Sequence, residues 1–233
     1  MPTLLASYIF DIASFGASFA LILTYHLYLR NKVIKDATYT VQAINRLART
    51  AWVHTVMQER NGILAVQTLR NSTMAATFLA STSVLLIIGV LTLTESDKLQ
   101  TSWHALNAVG TKHPALWLIK IMCLLSDLFV AFFSFAMSIR IFNHVGYLIN
   151  VPLGLNLKMI TPANVALHLN RAGSFYSIGM RAYYFTVPLV FWLFGPHFMV
   201  MATVGLLGVL YRIDRAPKLR GEQNQGTISP DIQ

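Results

Sequence analysis

The chain has 233 residues, of which 55% are hydrophobic and only 12% charged, and its mean hydropathy is +0.55. Soluble domains carry about 25% charged residues, so this composition excludes an ordinary soluble enzyme and predicts several membrane-spanning helices. The net charge of +9 would suggest nucleic acid in a soluble protein, but here the cations lie in loops between apolar blocks, where topology and anionic headgroups account for them. No nucleic-acid motif accompanies them, and no nucleic-acid partner is expected.

The first apolar block runs from about Leu4 to Leu29. No basic residue precedes it, so it is expected to be a retained helix, since a cleaved leader normally starts with a positive region. Ala13, Gly16, Ala17 and Ala20 offer a face that another helix can approach closely. In residues 30–60, Val41, Ile44, Ala48, Ala51, Trp52 and Thr55 recur at helical spacing. That pattern predicts an amphipathic helix lying in the interface, with Trp52 at headgroup level.

A second crossing centres on Met74–Leu93, and no breaker separates it from Asn61, so its start is expected to protrude. A polar loop follows over 94–114, with Glu95, Asp97, Lys98 and Lys112. The third crossing spans about Leu116 to Phe142. Pro152 and Pro162 then interrupt the pattern, and Thr161-Pro162 is a helix-start signal, a capping hydroxyl followed by proline in the first turn. From there a helix can run to Phe194 with a kink near Pro188.

The last apolar block is broken by Gly195-Pro196, and charge decides how to treat it. With the uncharged start outside, two crossings keep Arg212, Arg215, Lys218 and Arg220 inside, whereas one would export them against the positive-inside rule. Fifteen of the 18 basic residues then face the cytoplasm; Lys98, Lys112 and Lys120 do not. The expected fold is all-α: a polytopic bundle of about five transmembrane helices, N-outside and C-inside, with a re-entrant hairpin as the alternative. Residues 1–213 form one helical membrane domain, and 214–233 a polar cytoplasmic tail.

Ionisable groups at membrane depth are functional candidates because each is costly unless paired. Counting rise along the helices places Asp127 and Arg181 at similar depth, and Asp11 and Lys120 nearer the outer face, so both are expected to form intramembrane ion pairs. Lys120, Asp127 and Ser134 share a face that could line an ion path or lock helices together. His26, His54, His144 and His168 fall toward the cytoplasm and could hold a metal or haem if they converged. Arg70, Asn71, Arg140, Asn143 and Arg171 are candidates for headgroup binding. Asn31, Asn45, Asn61, Asn71 and Asn170 each adjoin an arginine, a pattern suggesting a hydrogen-bond network on that side. The single cysteine, Cys123, rules out an intrachain disulfide.

The segments "LRNSTMAATFLAST" (Leu69–Thr82), "IRIFNHVGYLIN" (Ile139–Asn150) and "RAYYFTVPLVFWLFGP" (Arg181–Pro196), in that order and spacing, resemble the membrane family catalogued as domain of unknown function 599, found in bacteria and plants. The resemblance implies a multi-pass membrane protein and supplies no reaction, so no catalytic residues follow from it and an enzyme is not the leading expectation. The expected location is the bacterial plasma (inner) membrane. Three functional classes stay open: a homo-oligomeric channel or transporter-like protein for a small solute or ion; a scaffold subunit binding lipid or a membrane protein complex; and a metal or haem redox protein.

Overall fold

The computed structural model describes residues 2–36, 38–94, 114–155 and 157–215. The polar loop over 95–113 and the tail beyond 215 lie outside the described residues. Among those described, the secondary structure is helical: α1 Pro2–Lys35, α2 Val41–Glu59, α3 Gly62–Thr94, α4 Pro114–Leu148, α5 Pro162–Phe194 and α6 Pro196–Asp214, with a short 3-10 turn at Leu153–Leu155. Four helices, α1, α3, α4 and α6, are long and apolar enough to cross a membrane.

The helix boundaries have local causes. Thr40 and Thr161 sit in extended conformation, and their side chains accept from the amides of Ala43 and Asn164, capping α2 and α5. Pro162 and Pro196 occupy first turns, where a missing N–H costs nothing. One residue, Gly195, joins α5 to α6 with φ 152° and ψ 159°, a conformation open essentially to glycine alone. α5 continues through Pro188, which is fully buried and leaves the Tyr184 carbonyl without its usual donor.

α4 packs between α3 and α5; α5 also contacts α2 and α6, and α1 rests on α6. At one end Ile87 and Val90 of α3 meet Ile121, Leu124 and Leu128 of α4 and Leu193 of α5. In the middle, Ala80, Ala131, Phe135 and Ala182 close the core. A Cβ on Gly179 would lie 2.7 Å from the Phe135 ring, so this glycine sets how closely α4 and α5 approach.

At 33 to 35 residues, α3, α4 and α5 are each about 50 Å long, against a hydrocarbon core of about 30 Å. At one end of the bundle the start of α3, the end of α4 and the start of α5 enclose an apolar cluster. α2 completes that cluster with Val53, Val56 and Met57. α2 packs on the bundle through these three residues; of the spaced residues expected to form its interfacial face, Val41, Ala48 and Trp52 line a cavity against the bundle, while Ala51 and Thr55 are exposed. Apolar side chains at these helix ends offer α2 a protein surface to bury against.

Candidate functional site

Two polar clusters tie α1 to the bundle. Near its start, the fully buried carboxylate of Asp11 lies 2.9 Å from the Lys120 ammonium, itself only 3% exposed. Lys120 also donates to the Trp192 carbonyl at 3.0 Å, and the Trp192 indole donates to Asp11 at 3.1 Å. Pro196 explains part of this arrangement: it has no N–H for the carbonyl four residues back, and Lys120 bonds that carbonyl from α4. Near the other end of α1, Tyr25 donates to Asp214 of α6 at 2.9 Å.

Asp127 and Arg181 are not paired. Asp127 accepts from Thr186 at 2.8 Å, and Arg181 donates to Gln42 of α2 at 3.3 Å. The sequence argument matched depth but not direction. Thr186 faces Asp127, and Arg181 lies five positions earlier on the same helix, about 140° around its axis at 3.6 residues per turn. Of the polar stripe on α4, Lys120 bonds the Trp192 carbonyl and Asp127 accepts from Thr186, both on α5, and Ser134 is buried; Ser138, outside that stripe, donates to the Ala172 carbonyl at 3.0 Å.

The four histidines do not assemble. His144 and His168 approach edge to face with centroids 5.4 Å apart. His26 instead packs against Phe185, and its ring nitrogen contacts the Ile22 carbonyl; His54 stays on α2. Among the described residues, no three His, Cys, Asp or Glu side chains come together as a metal site. They start from four separate helices, and packing brings only the α4 and α5 residues together.

The five expected headgroup residues scatter. Arg70 and Asn143 line a groove of about 770 Å³ between α3 and α4. Asn71 faces a different cavity. Arg140 and Arg171 are exposed, with Arg171 over the Phe175 ring.

That different cavity holds about 810 Å³ between α2, α3, α5 and α6, with Phe142 of α4 in its wall. Trp52, Leu69, Phe142, Leu169 and Leu210 give it an apolar wall; Gln42, Asn45, Arg49, Asn71, Tyr176 and Arg181 supply polar groups. A second cavity of about 630 Å³ lies between α1, α2 and α5 and carries His26, Arg30, Arg46, Arg49 and Arg181. Gln42, Asn45, Arg49, Gly173, Ser177 and Arg181 border both.

Arg49 is fixed from several sides. It donates through Nε to Asn170 at 2.9 Å, and Asn170 in turn donates to Thr50 at 3.0 Å. Its guanidinium lies over Gly173, where an added Cβ would be 2.7 Å away. Burial, with Arg46 beside it, pushes the guanidinium below its ordinary pKa range, though arginine stays cationic. Sequence reasoning did not select Arg49, Gln42 or Gly173. Arg49 lies four residues before Val53 on the buried face of α2, a periodic signal that could have marked it. Of the five asparagines beside an arginine, Asn170 bonds an arginine, but it is Arg49, 121 residues away, and not its neighbour Arg171.

The profile of a family described as "Protein of unknown function, DUF599" matches residues 13–219, and the chain belongs to that family. No curated protein matches significantly, and no solved structure does.

Proposed function

From its membership in a family without an assigned reaction, we propose that this multi-pass membrane protein crosses the bilayer five times, N-terminus outside, and binds an amphipathic small molecule in the chamber between α2, α3, α5 and α6. The chamber itself carries the proposal. Its volume of about 810 Å³ falls within the roughly 300–1,000 Å³ typical of ligand sites, as does its mostly apolar wall with a few converging polar groups.

Chain direction supports the fifth crossing. Asp11 near the start of α1 meets Trp192 near the end of α5, while Tyr25 meets Asp214 at the end of α6. α1 and α6 thus run the same way, and α5 runs back between α4 and α6. If α4 and α6 both cross in one direction, α5 must return the chain. Its lower hydropathy fits a helix whose polar residues face α2, α3 and α4. The polar stripe on α4 supports helix locking over conduction, because both its charged members, Lys120 and Asp127, are bonded across the α4–α5 contact.

Ala75 opens onto the chamber, so Ala75→Trp fills it without removing a core side chain. Titration of the purified protein with an uncharged, environment-sensitive fluorescent amphiphile is expected to give saturable binding, weakened about tenfold or more by A75W, equivalent to about 1.4 kcal/mol. Equal binding by both forms would remove the chamber as the site.

A further inference from the structure

We propose that the occupant is an anionic phospholipid of the inner leaflet, with its phosphate held between Arg49 and Arg181 and its two tails directed into the two cavities that those arginines separate. The proposal rests on the chamber being a binding site and adds the chemistry of its ligand.

Arg49 and Arg181 stand in the wall common to both cavities. Both are partly buried, and each is bonded to a neutral amide: Arg49 to Asn170 and Arg181 to Gln42. Among the described residues the one ion pair is Asp11–Lys120, so neither guanidinium has a carboxylate partner there. The carboxylate in the chamber wall, Asp214, accepts from the Tyr25 hydroxyl. Two partly buried guanidiniums with no carboxylate in ion-pair contact are costly as they stand, and Asp214 in the same wall offsets that cost only from beyond contact distance. A phosphate would relieve that cost, since the guanidinium fork matches its oxygens.

The second cavity sharpens the selectivity. Its wall carries Arg30, Arg46 and His26 in addition to the shared arginines, and no Asp or Glu. Nothing there receives a quaternary ammonium, so a net anion is favoured over a zwitterion. Leu27, Val33 and Ile34 on one side, and Trp52, Leu69 and Phe142 on the other, offer apolar surface to two chains from one head. In the proposed orientation these cations lie toward the cytoplasmic leaflet, where anionic lipid is concentrated.

The test uses the full chain in nanodiscs of phosphatidylcholine, with bound lipid counted by native mass spectrometry during titration with phosphatidylglycerol, diacylglycerol or glycerol phosphate. Phosphatidylglycerol is expected to bind most tightly, and Arg181→Gln to weaken it about tenfold or more, as for loss of a charged hydrogen bond. Diacylglycerol binding should be unchanged by R181Q. Arg49→Lys, which keeps the charge and loses the fork, should also weaken phosphatidylglycerol.

Equal phosphatidylglycerol affinity in R181Q and the unaltered chain would overturn the proposal. So would glycerol phosphate competing as well as the lipid, which would mark a site for free phosphate esters. If diacylglycerol binds and phosphatidylglycerol binds no better, the phosphate assignment fails and the chamber stands. If neither lipid binds, the chamber fails with it.

Discussion

Lys120 connects three helices through one ammonium group: the Asp11 carboxylate on α1, the Trp192 carbonyl on α5, and its own backbone on α4. Removing one member of a buried ion pair leaves the other charge unpaired, which costs about 3–5 kcal/mol. Asp11→Asn should therefore lower the melting midpoint in detergent markedly, and the double replacement D11N/K120M should recover much of the loss. A midpoint unchanged by D11N would show that the pair contributes nothing. Both residues could be found in the sequence, because depth along a helix follows from residue count and a buried charge needs a partner. The same count could not find the partner of Asp127. It gives height but not azimuth, and five residues separate the face of α5 that meets Asp127 from the one that carries Arg181.

Single residues decide how the helical elements meet. The caps at Thr161 and Gly195-Pro196 were readable because proline and glycine have few conformational options. α2 was readable as a helix, but not in its orientation. Its apolar spacing allowed either a bilayer interface or a protein surface, and only the start of α3, the end of α4 and the start of α5 make the second available. Gly195 gives the clearest element-level prediction. Any side chain at φ 152° is strained by about 1–3 kcal/mol, so Gly195→Ala should destabilise the protein by that amount in reversible unfolding in mixed micelles. An unchanged free energy would mean that the joint between α5 and α6 relaxes without cost.

At the scale of the whole molecule, charge and packing are linked. The start of α3, the end of α4 and the start of α5 create the surface on which α2 docks, and α2 brings Arg49 and Gln42 against α5. The resulting chamber draws walls from five helices far apart in sequence, so no local motif announces it. The all-helical membrane class depends on composition and was legible; the sidedness argument rests on charge alone. The chamber depends on how helices rotate about their axes, which periodicity leaves open when a helix is apolar on most sides. Its placement beside the inner leaflet requires residues around Lys35 and Arg215 to share one side of the membrane, with the loop around Lys98 on the other. The decisive measurement is labelling by a membrane-impermeant thiol reagent in a Cys123→Ser background, with Lys35→Cys, Lys98→Cys or Arg215→Cys introduced singly. In intact cells the account predicts labelling at position 98 alone, with 35 and 215 reacting only after lysis. Labelling of 98 and 215 together in intact cells would contradict it, because the chain would then cross an even number of times and the arginine wall would lose its place on the cytoplasmic side.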